Sequence, residues 1–299
     1  MTSAQPTDQT FGPGHTPTPW FEADNDATYD EILADFVEVT STTPKVGELP
    51  KLLDEHLAVL EGVLGGQRLV RLPTFEKIAE QNRDTALATA LRSLVAQGAV
   101  RIENSDELDE AVRNGEPFVP VDLRLRPMLA LLLDLRASAK RVLMAEQFVG
   151  AVREWWYLYS HGDFLTVLEK VTANGEHEFL YHSPAVSADY LPYLVDRFRR
   201  AKTDGEVLNL TTDDIKKRTV GPLAEAVEAT ECVTRLTALI PFDHGDPRHG
   251  EHIAAYSTPD ALWFVHVVRP QDQSGIRAYT VSPDTLRETV ARLVHGGAP

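Results

Sequence analysis

Histidine and acidic side chains crowd one short stretch of the chain, "FDHGDPRHGEH", at residues 242–252. Neutral imidazole and carboxylate groups are the usual protein ligands of zinc and other divalent cations, so this composition indicates a possible metal centre and a metal-dependent enzyme. The candidate ligands are His244, Asp246, His249 and His252.

The spacing of these ligands favours another interpretation. Gly245, Pro247 and Gly250 interrupt any helix that would bring two of the histidines onto one face, and no established ligand pattern is matched. The stretch lies between two apolar runs that predict strands, "CVTRLTALIPF" and "HIAAYS". We therefore interpret it as an extended hairpin connection and keep the metal-dependent enzyme as an alternative.

Other catalytic signatures also fail on spacing. "HEFLYH" resembles a zinc-protease helix, but His177 and His182 are five positions apart, and this odd offset places them on opposite faces of a strand. The chain contains neither a phosphate-binding Gly-x-x-x-x-Gly-Lys-Ser/Thr loop nor a Gly-x-Ser-x-Gly nucleophile turn. The sequence thus predicts a protein that is not an enzyme and that uses no cofactor.

Composition limits the classes of partner. The 299 residues include 43% hydrophobic side chains, enough for a substantial core, and they carry a formal charge of −16. A surface this negative repels phosphate backbones and anionic lipids, so neither nucleic acid nor membrane is an expected partner. The chain has no basic and apolar leader and no long uninterrupted apolar run, and its lone Cys232 lies in an apolar segment. These features predict a cytoplasmic protein with a buried thiol.

The organisation of the chain follows from its local patterns. Residues 1–27 are rich in Pro, Thr, Gly and Asp, which predicts a flexible tail, and residues 28–299 then form a single domain. Apolar residues spaced by three and four predict helices over 28–39, 47–66, 74–98 and 122–138, with a short strand in "QRLVRLP" between the second and the third. Alternating runs later in the chain predict strands, so the fold class is α+β.

Three aromatic and β-branched runs, "REWWYLYS", "DFLTVLEKVT" and "EHEFLYHS", predict an antiparallel meander. Strand alternation places Trp155, Tyr157 and Tyr159 on one face, and Trp156 and Leu158 on the other. Trp and Tyr are common in binding hot spots, so the first set is a candidate partner surface. The alternative, in which helices cover both faces and all the rings are core, is equally compatible with the sequence.

The same order of elements occurs twice. "FLYHSPAVSADYLPYLVDRF" and "AYTVSPDTLRETVARLV" both place an aromatic strand, Ser-Pro and an amphipathic helix in sequence. In the first copy Ser187 is the expected N-cap, and in the second the N-cap is Ser282, followed by Pro283 and a stop at Gly296. We infer quasi-twofold duplicated halves, at about 28–150 and 151–299, packed on an antiparallel sheet.

Several segments together resemble the EspG family of chaperones associated with type VII (ESX) secretion in actinobacteria. They are "RLVRLPTFEKIAEQNRDTALATALRSLVAQGAV", "DLRLRPMLALLLDLRASAKRVLMAE" and "ALWFVHVVRPQDQSGIRAYTVSPDTLRETVARLV". The resemblance implies an α+β unit with quasi-twofold symmetry. It also implies a non-enzymatic cytosolic role, in which the protein keeps a PE–PPE-like or other helical-hairpin secretion substrate soluble before export, through the sheet and adjoining elements.

A transcriptional regulator is the main alternative function. "ATALRSLVAQGAVRI" places a short strand after a helix that ends in Gly, as at the end of a winged-helix module. Its candidate DNA contacts are Arg83, Arg92 and Arg101, but the acidic neighbours Glu76, Glu80 and Asp84 offset their charge. The pattern also fits a helix that packs inside an α+β domain.

Overall fold

The computed structural model describes residues 28–42, 46–64, 70–116, 119–162, 165–211, 213–214, 220–240, 248–267 and 275–296. The predicted tail, residues 1–27, lies outside these ranges. No helix in the described ranges is both long enough and apolar enough to cross a bilayer.

The first half of the described chain alternates helices with strands. Its elements are α1 (Tyr29–Thr42), β1 (Val46–Leu53), α2 (Asp54–Leu64), a 3₁₀ turn (Phe75–Lys77), α3 (Glu80–Ala96), β2 (Val100–Ile102), α4 (Ser105–Asn114), β3 (Leu123–Leu125), α5 (Pro127–Ala137) and β4 (Arg141–Val149).

The second half begins with the meander. Its elements are β5 (Val152–Ser160), β6 (Thr166–Val171), β7 (Glu176–His182), α6 (Pro184–Val195), β8 (Leu208–Leu210), α7 (Pro222–Glu228), β9 (Cys232–Ile240), β10 (Arg248–Ser257), β11 (Leu262–Val267), β12 (Ile276–Thr280) and α8 (Pro283–His295). The three predicted meander strands are therefore β5, β6 and β7.

One large antiparallel sheet organises the described residues. Ten strands follow the order β1-β7-β6-β5-β4-β9-β10-β11-β12-β8, and β2 and β3 form a separate pair. The ladder between β4 and β9, from Val142 opposite Leu239 to Val149 opposite Cys232, joins the two sides. The predicted α+β class with helices on an antiparallel sheet is confirmed. Five strands lie on each side of that ladder, and descent of the two sides by duplication stays a prediction.

The large sheet has two faces with separate cores. We call the face that bears Tyr157 the front and the face that bears Leu158 the back. The front core joins β1 and β4 to β7 with side chains of α1, α2, α3 and α5, for example Leu57, Leu94 and Leu132. The back core spans both sides of the sheet under α6 and α8, whose two helices pack against each other.

The aromatic strand β5 contributes to both cores. Trp155, Tyr157 and Tyr159 are only 7%, 0% and 1% exposed and belong to the front core, whereas Leu158 belongs to the back core and Trp156 packs against it. The predicted alternation is right. Because helices cover both faces here, the three front rings are core residues, and their burial does not support their interpretation as a partner surface.

Two helix starts differ from the sequence predictions. The first seven residues of the predicted helix over 47–66 lie in β1, and the helix begins only at Asp54. Pro50 lacks an amide hydrogen, which is tolerated in β1 because it pairs only with β7 at the sheet edge. The later helix begins at Pro184, with Ser183 in the N-cap position, so Ser187 lies inside α6 and is not its cap.

Other local predictions have mixed outcomes. Residues 70–73 do not form the expected strand. Helix α4 was not predicted, although Gly115 ends it in the left-handed conformation that glycine favours. The start of α8 is confirmed, because Ser282 Oγ accepts a hydrogen bond from the Thr285 amide, Pro283 occupies the first turn, and Gly296 follows the last residue.

A buried histidine on the back face lacks hydrogen bonds. His182 is fully buried, and within the described residues neither ring nitrogen has a hydrogen-bond partner. Its ring stacks on Tyr190 of α6 at 4.9 Å between centroids. Burial lowers the pKa of His182 to about 4, because a charged imidazole would lose its hydration without compensation.

This low pKa predicts acid sensitivity. The unfolded chain takes up a proton at His182 near pH 6.5 and the folded chain only near pH 4, so folding stability falls as pH drops through this interval. We expect His182→Leu to remove about 2 kcal/mol of the stability difference between pH 7.5 and pH 5. Urea unfolding at both pH values measures it.

The control for this experiment is Leu168→Ala, which removes buried volume on the same face but no titratable group. It should lower stability by the same amount at both pH values. An unchanged pH dependence in His182→Leu would contradict the assignment.

Candidate functional site

The densest cluster of ionisable groups lies under the front face. His177 of β7 bridges two carboxylates, with Nδ1 2.6 Å from Glu169 Oε1 and Nε2 2.8 Å from Asp54 Oδ1. All three side chains are fully buried. Arg136 of α5 donates from Nε to Glu169 Oε2 at 3.1 Å and from Nη2 to Glu61 Oε1 at 3.2 Å. The cluster therefore links α2, α5, β6 and β7.

Neutral hydrogen-bond donors also contact these carboxylates. Tyr159 Oη donates to Glu169 Oε2 at 2.5 Å. Asp54 Oδ2 accepts from the Thr74 amide and hydroxyl, both at 2.6 Å, and from the Phe75 amide at 3.0 Å. The carboxylates thus keep several charge-assisted hydrogen bonds in place of water.

The balance of burial and pairing sets the ionisation of the cluster. Burial alone would raise the pKa values of Glu169 and Asp54, but Arg136 and His177 beside Glu169, and His177 and Thr74 beside Asp54, hold both pKa values below the usual range. Burial would lower the pKa of His177, yet its hydrogen bonds to Asp54 and Glu169 raise it. The consistent state is two carboxylates around an imidazolium that donates from both nitrogens.

The buried cluster around His177 has a structural role. An Asp–His–Glu chain can relay protons, but His177 has both nitrogens occupied and the three side chains have no exposed surface for a substrate. The Asp54 amide also donates to the Gly175 carbonyl at 2.8 Å, in the turn before β7. A Cβ at Gly175 would collide with Thr74 and Asp54. We conclude that the cluster fixes the 70–78 segment and α5 to the sheet.

Removing one member should therefore leave uncompensated buried charge. We expect Glu169→Gln to cost about 3 kcal/mol or more in the free energy of unfolding. The matched control is Glu178→Gln on the next strand, whose pair with Lys51 is exposed and should be worth less than about 1 kcal/mol. Equal effects in chemical denaturation would show that the cluster is not a structural clamp.

The histidine-rich stretch lies between two antiparallel strands, β9 and β10, but β10 begins at Arg248, so the second part of the predicted loop is strand. Residues 241–247 lie outside the described residues. His244 and Asp246 lie outside the described residues, whereas His249 and His252 lie on β10 with a register irregularity between them.

Two polar residues of this stretch have other contacts. His252 Nδ1 is 2.8 Å from Thr237 Oγ1, and Glu251 accepts two hydrogen bonds from Arg292 of α8. In the described part of the chain, no three His, Cys, Asp or Glu side chains are placed to hold a metal. Because two of the four candidate ligands lie outside the described residues, the metal-dependent alternative stays a prediction.

The winged-helix pattern also differs from its expected geometry. The strands β2 and β3 pair with each other, but α4 is inserted between them, so they do not form a simple hairpin wing. Arg83 Nε donates to the Ile78 carbonyl, Arg92 approaches Thr89, and Arg101 pairs with Glu103. The three arginines are thus spread over one helix and one strand, each with a local contact.

A groove lies between the end of β1 and α3. Its volume is about 510 Å³, and it is lined by Leu53, His56, Ile78 and the side of α3 that carries Ala86 and Ala90. The Leu53 amide donates to His56 Nδ1 at 3.3 Å, and burial lowers the pKa of His56. The His56 ring is thus part of the local packing.

A second surface was not anticipated from the sequence. On the front of β4 and β9 to β11, apolar side chains that are only partly buried belong to neither core among the described residues. They follow one register line, in which Phe148 lies opposite Val233, Val233 opposite Tyr256, and Tyr256 opposite Trp263. We call Phe148, Val233, Tyr256, Trp263 and the flanking Arg153 and Arg235 the open sheet face.

Two arginines frame the first ring of the open sheet face. The guanidinium carbons of Arg153 and Arg235 lie 5.3 and 5.1 Å from the Phe148 ring centroid, and Arg153 also lies 4.8 Å from the Trp155 ring. Both arginines contact the Glu146 carboxylate. Their side chains remain 43% and 55% exposed. Aromatic rings next to Arg are the usual composition of a protein-binding hot spot.

Comparison with known proteins gives a structural match. The sequence matches no family model, and no curated protein is similar to it. A solved structure, the type VII secretion system chaperone EspG5 of Mycobacterium tuberculosis in complex with a PE25–PPE41 dimer, is similar with a TM-score of 0.51 and 10% identity. The similarity covers 84% of this chain and 96% of EspG5. This chain has an EspG-like fold. At such low identity the match supports the fold and not membership of the family.

Proposed function

We propose that this chain is a cytoplasmic binding protein with a chaperone-like role in type VII secretion. Its partner would be a PE–PPE-like or other helical-hairpin substrate, kept soluble before export. The fold similarity to EspG5 carries this proposal, because it extends over most of both chains and because EspG5 was solved with a PE25–PPE41 dimer.

The open sheet face supports a protein partner. Among the described residues, helices pack on the front of the first half of the sheet and on its back, whereas Tyr256 and Trp263 are partly buried and belong to neither core. An apolar sheet face is stabilised when a helix packs on it, so a helical segment suits this surface. Binding of a helix at this surface needs no catalytic group and no cofactor.

Recovery of a native partner tests the function. We expect affinity purification of the tagged chain, from cells that express a type VII system, to recover a helical secretion substrate. The double variant Tyr256→Ala/Trp263→Ala should reduce recovery about tenfold or more, because truncated hot-spot aromatics weaken binding by that order. Quantitative mass spectrometry measures the recovered protein.

The control is Tyr193→Ala, which removes an exposed ring from α6 on the other side of the sheet. This variant should recover the same amount of partner as the unmodified chain. Absence of any helical secretion substrate, under conditions in which the system is active, would refute the proposed role. If the double variant recovers as much partner as the unmodified chain, the open sheet face is not the binding surface.

A further inference from the structure

Two cations and one anion meet on the open sheet face. Arg153 Nη2 contacts Glu146 Oε1, and Arg235 Nη1 lies 3.5 Å from Glu146 Oε2. No other acidic side chain of the described residues pairs with either arginine. One positive charge is therefore uncompensated at this point, although the whole chain carries −16.

The arrangement is held in place before a partner arrives. Both guanidinium groups lie against the Phe148 ring, and the Arg153 group also lies over Trp155. Stacking and the shared Glu146 restrict the arginine rotamers, so less conformational entropy is lost when they bind another group. A guanidinium has five N–H donors, and the contact with Glu146 occupies few of them.

The apolar part of the face sets the size of the partner. From Arg153 on β5 to Trp263 on β11, the register line crosses four strand spacings, or about 19 Å. A helix rises about 1.5 Å per residue, so roughly 13 residues cover this distance. One side of such a helix can place a carboxylate at the arginines and apolar side chains over Tyr256 and Trp263.

We propose that the open sheet face selects a helical segment that carries an Asp or Glu within one or two turns of aromatic or aliphatic residues. The partner's carboxylate accepts hydrogen bonds from Arg153 and Arg235. It neutralises the one positive charge that Glu146 does not compensate. The apolar residues of the segment cover Val233, Tyr256 and Trp263. This inference rests on the proposed function only in taking a helix as the bound element.

A displayed library of two-helix hairpins tests this preference without a native partner. The residues at and next to the hairpin tip are randomised, and hairpins are selected on the full chain. We expect the selected tips to be enriched in Asp or Glu beside Leu, Phe, Trp or Tyr. Synthetic copies with Asn or Gln at the acidic position should bind at least tenfold more weakly.

Charge reversal locates the contact. Arg153→Glu/Arg235→Glu should weaken the selected hairpins by about 30-fold or more, and binding to the unmodified chain should weaken with rising salt. Because reversal beside Glu146 can disturb folding, the neutral pair Arg153→Gln/Arg235→Gln is measured as well, with circular dichroism of both. The control Arg113→Glu changes an exposed arginine in the last turn of α4 and should bind normally.

The hairpin selection tests the proposed acidic preference independently of the proposed role in secretion. Acidic tips whose binding depends on Arg153 and Arg235 support it, even if no secretion substrate is recovered from cells. Tips without acidic enrichment, binding unchanged in the folded glutamine pair, or failure to select any hairpin would overturn it.

Discussion

The ladder between β4 and β9 is the pairing on which the rest of the molecule depends. It joins two groups of five strands into one antiparallel sheet, so neither group has a free edge at the centre. A continuous sheet has only two faces, and the helices that bury an apolar side against it share these two faces. The helices α6 and α8 share the back, while α1, α2, α3 and α5 occupy the front of the first half. On the front of the second half, apolar strand residues lie outside both cores formed by the described residues.

The two faces of the sheet are packed by different kinds of interaction. On the front of the first half, a network of Asp54, His177, Glu169 and Arg136 replaces some apolar contact with matched charges. Such a network contributes less to net stability than to position, because its desolvation cost offsets much of its attraction. It fixes where α5 and the 70–78 segment sit. The back core under α6 and α8 is mainly aliphatic, and His182 is its acid-sensitive exception.

Local sequence patterns predicted the elements whose determinants are local. The alternation in β5 and the Ser282–Pro283 start of α8 depend on residues close in sequence. The predicted hairpin between β9 and β10 also follows from neighbouring runs. The acid-rich α4 was missed, although Leu108, Ala111 and Val112 have helical spacing. The first part of the predicted helix over 47–66 is wrong because the pairing of β1 with β7 outweighed local helical spacing, and Pro50 is compatible with an edge strand.

The candidate sites could not be predicted in the same way. Asp54 and His177 are 123 residues apart, and only the packing of α2 against the sheet brings them together. Arg153, Phe148 and Arg235 become neighbours only through the β5–β4–β9 register. The sequence drew attention to clustered histidines and to the rings of β5, because residues that are close in the chain are the ones a pattern can group. The available signal in the sequence was an Arg at an alternate strand position from an aromatic residue, as Arg153 is from Trp155.

The two outer strands of the sheet have a further consequence. β8 has only three residues, and β1 carries Pro50 together with a register irregularity between Leu49 and Leu52. Unpaired strand edges are templates for β-aggregation, and short strands, proline and bulges each interrupt such a template. A protein whose sheet also carries partly exposed apolar side chains needs this protection more than most. The geometry of the two edges therefore disfavours polymerisation of the protein through its own sheet.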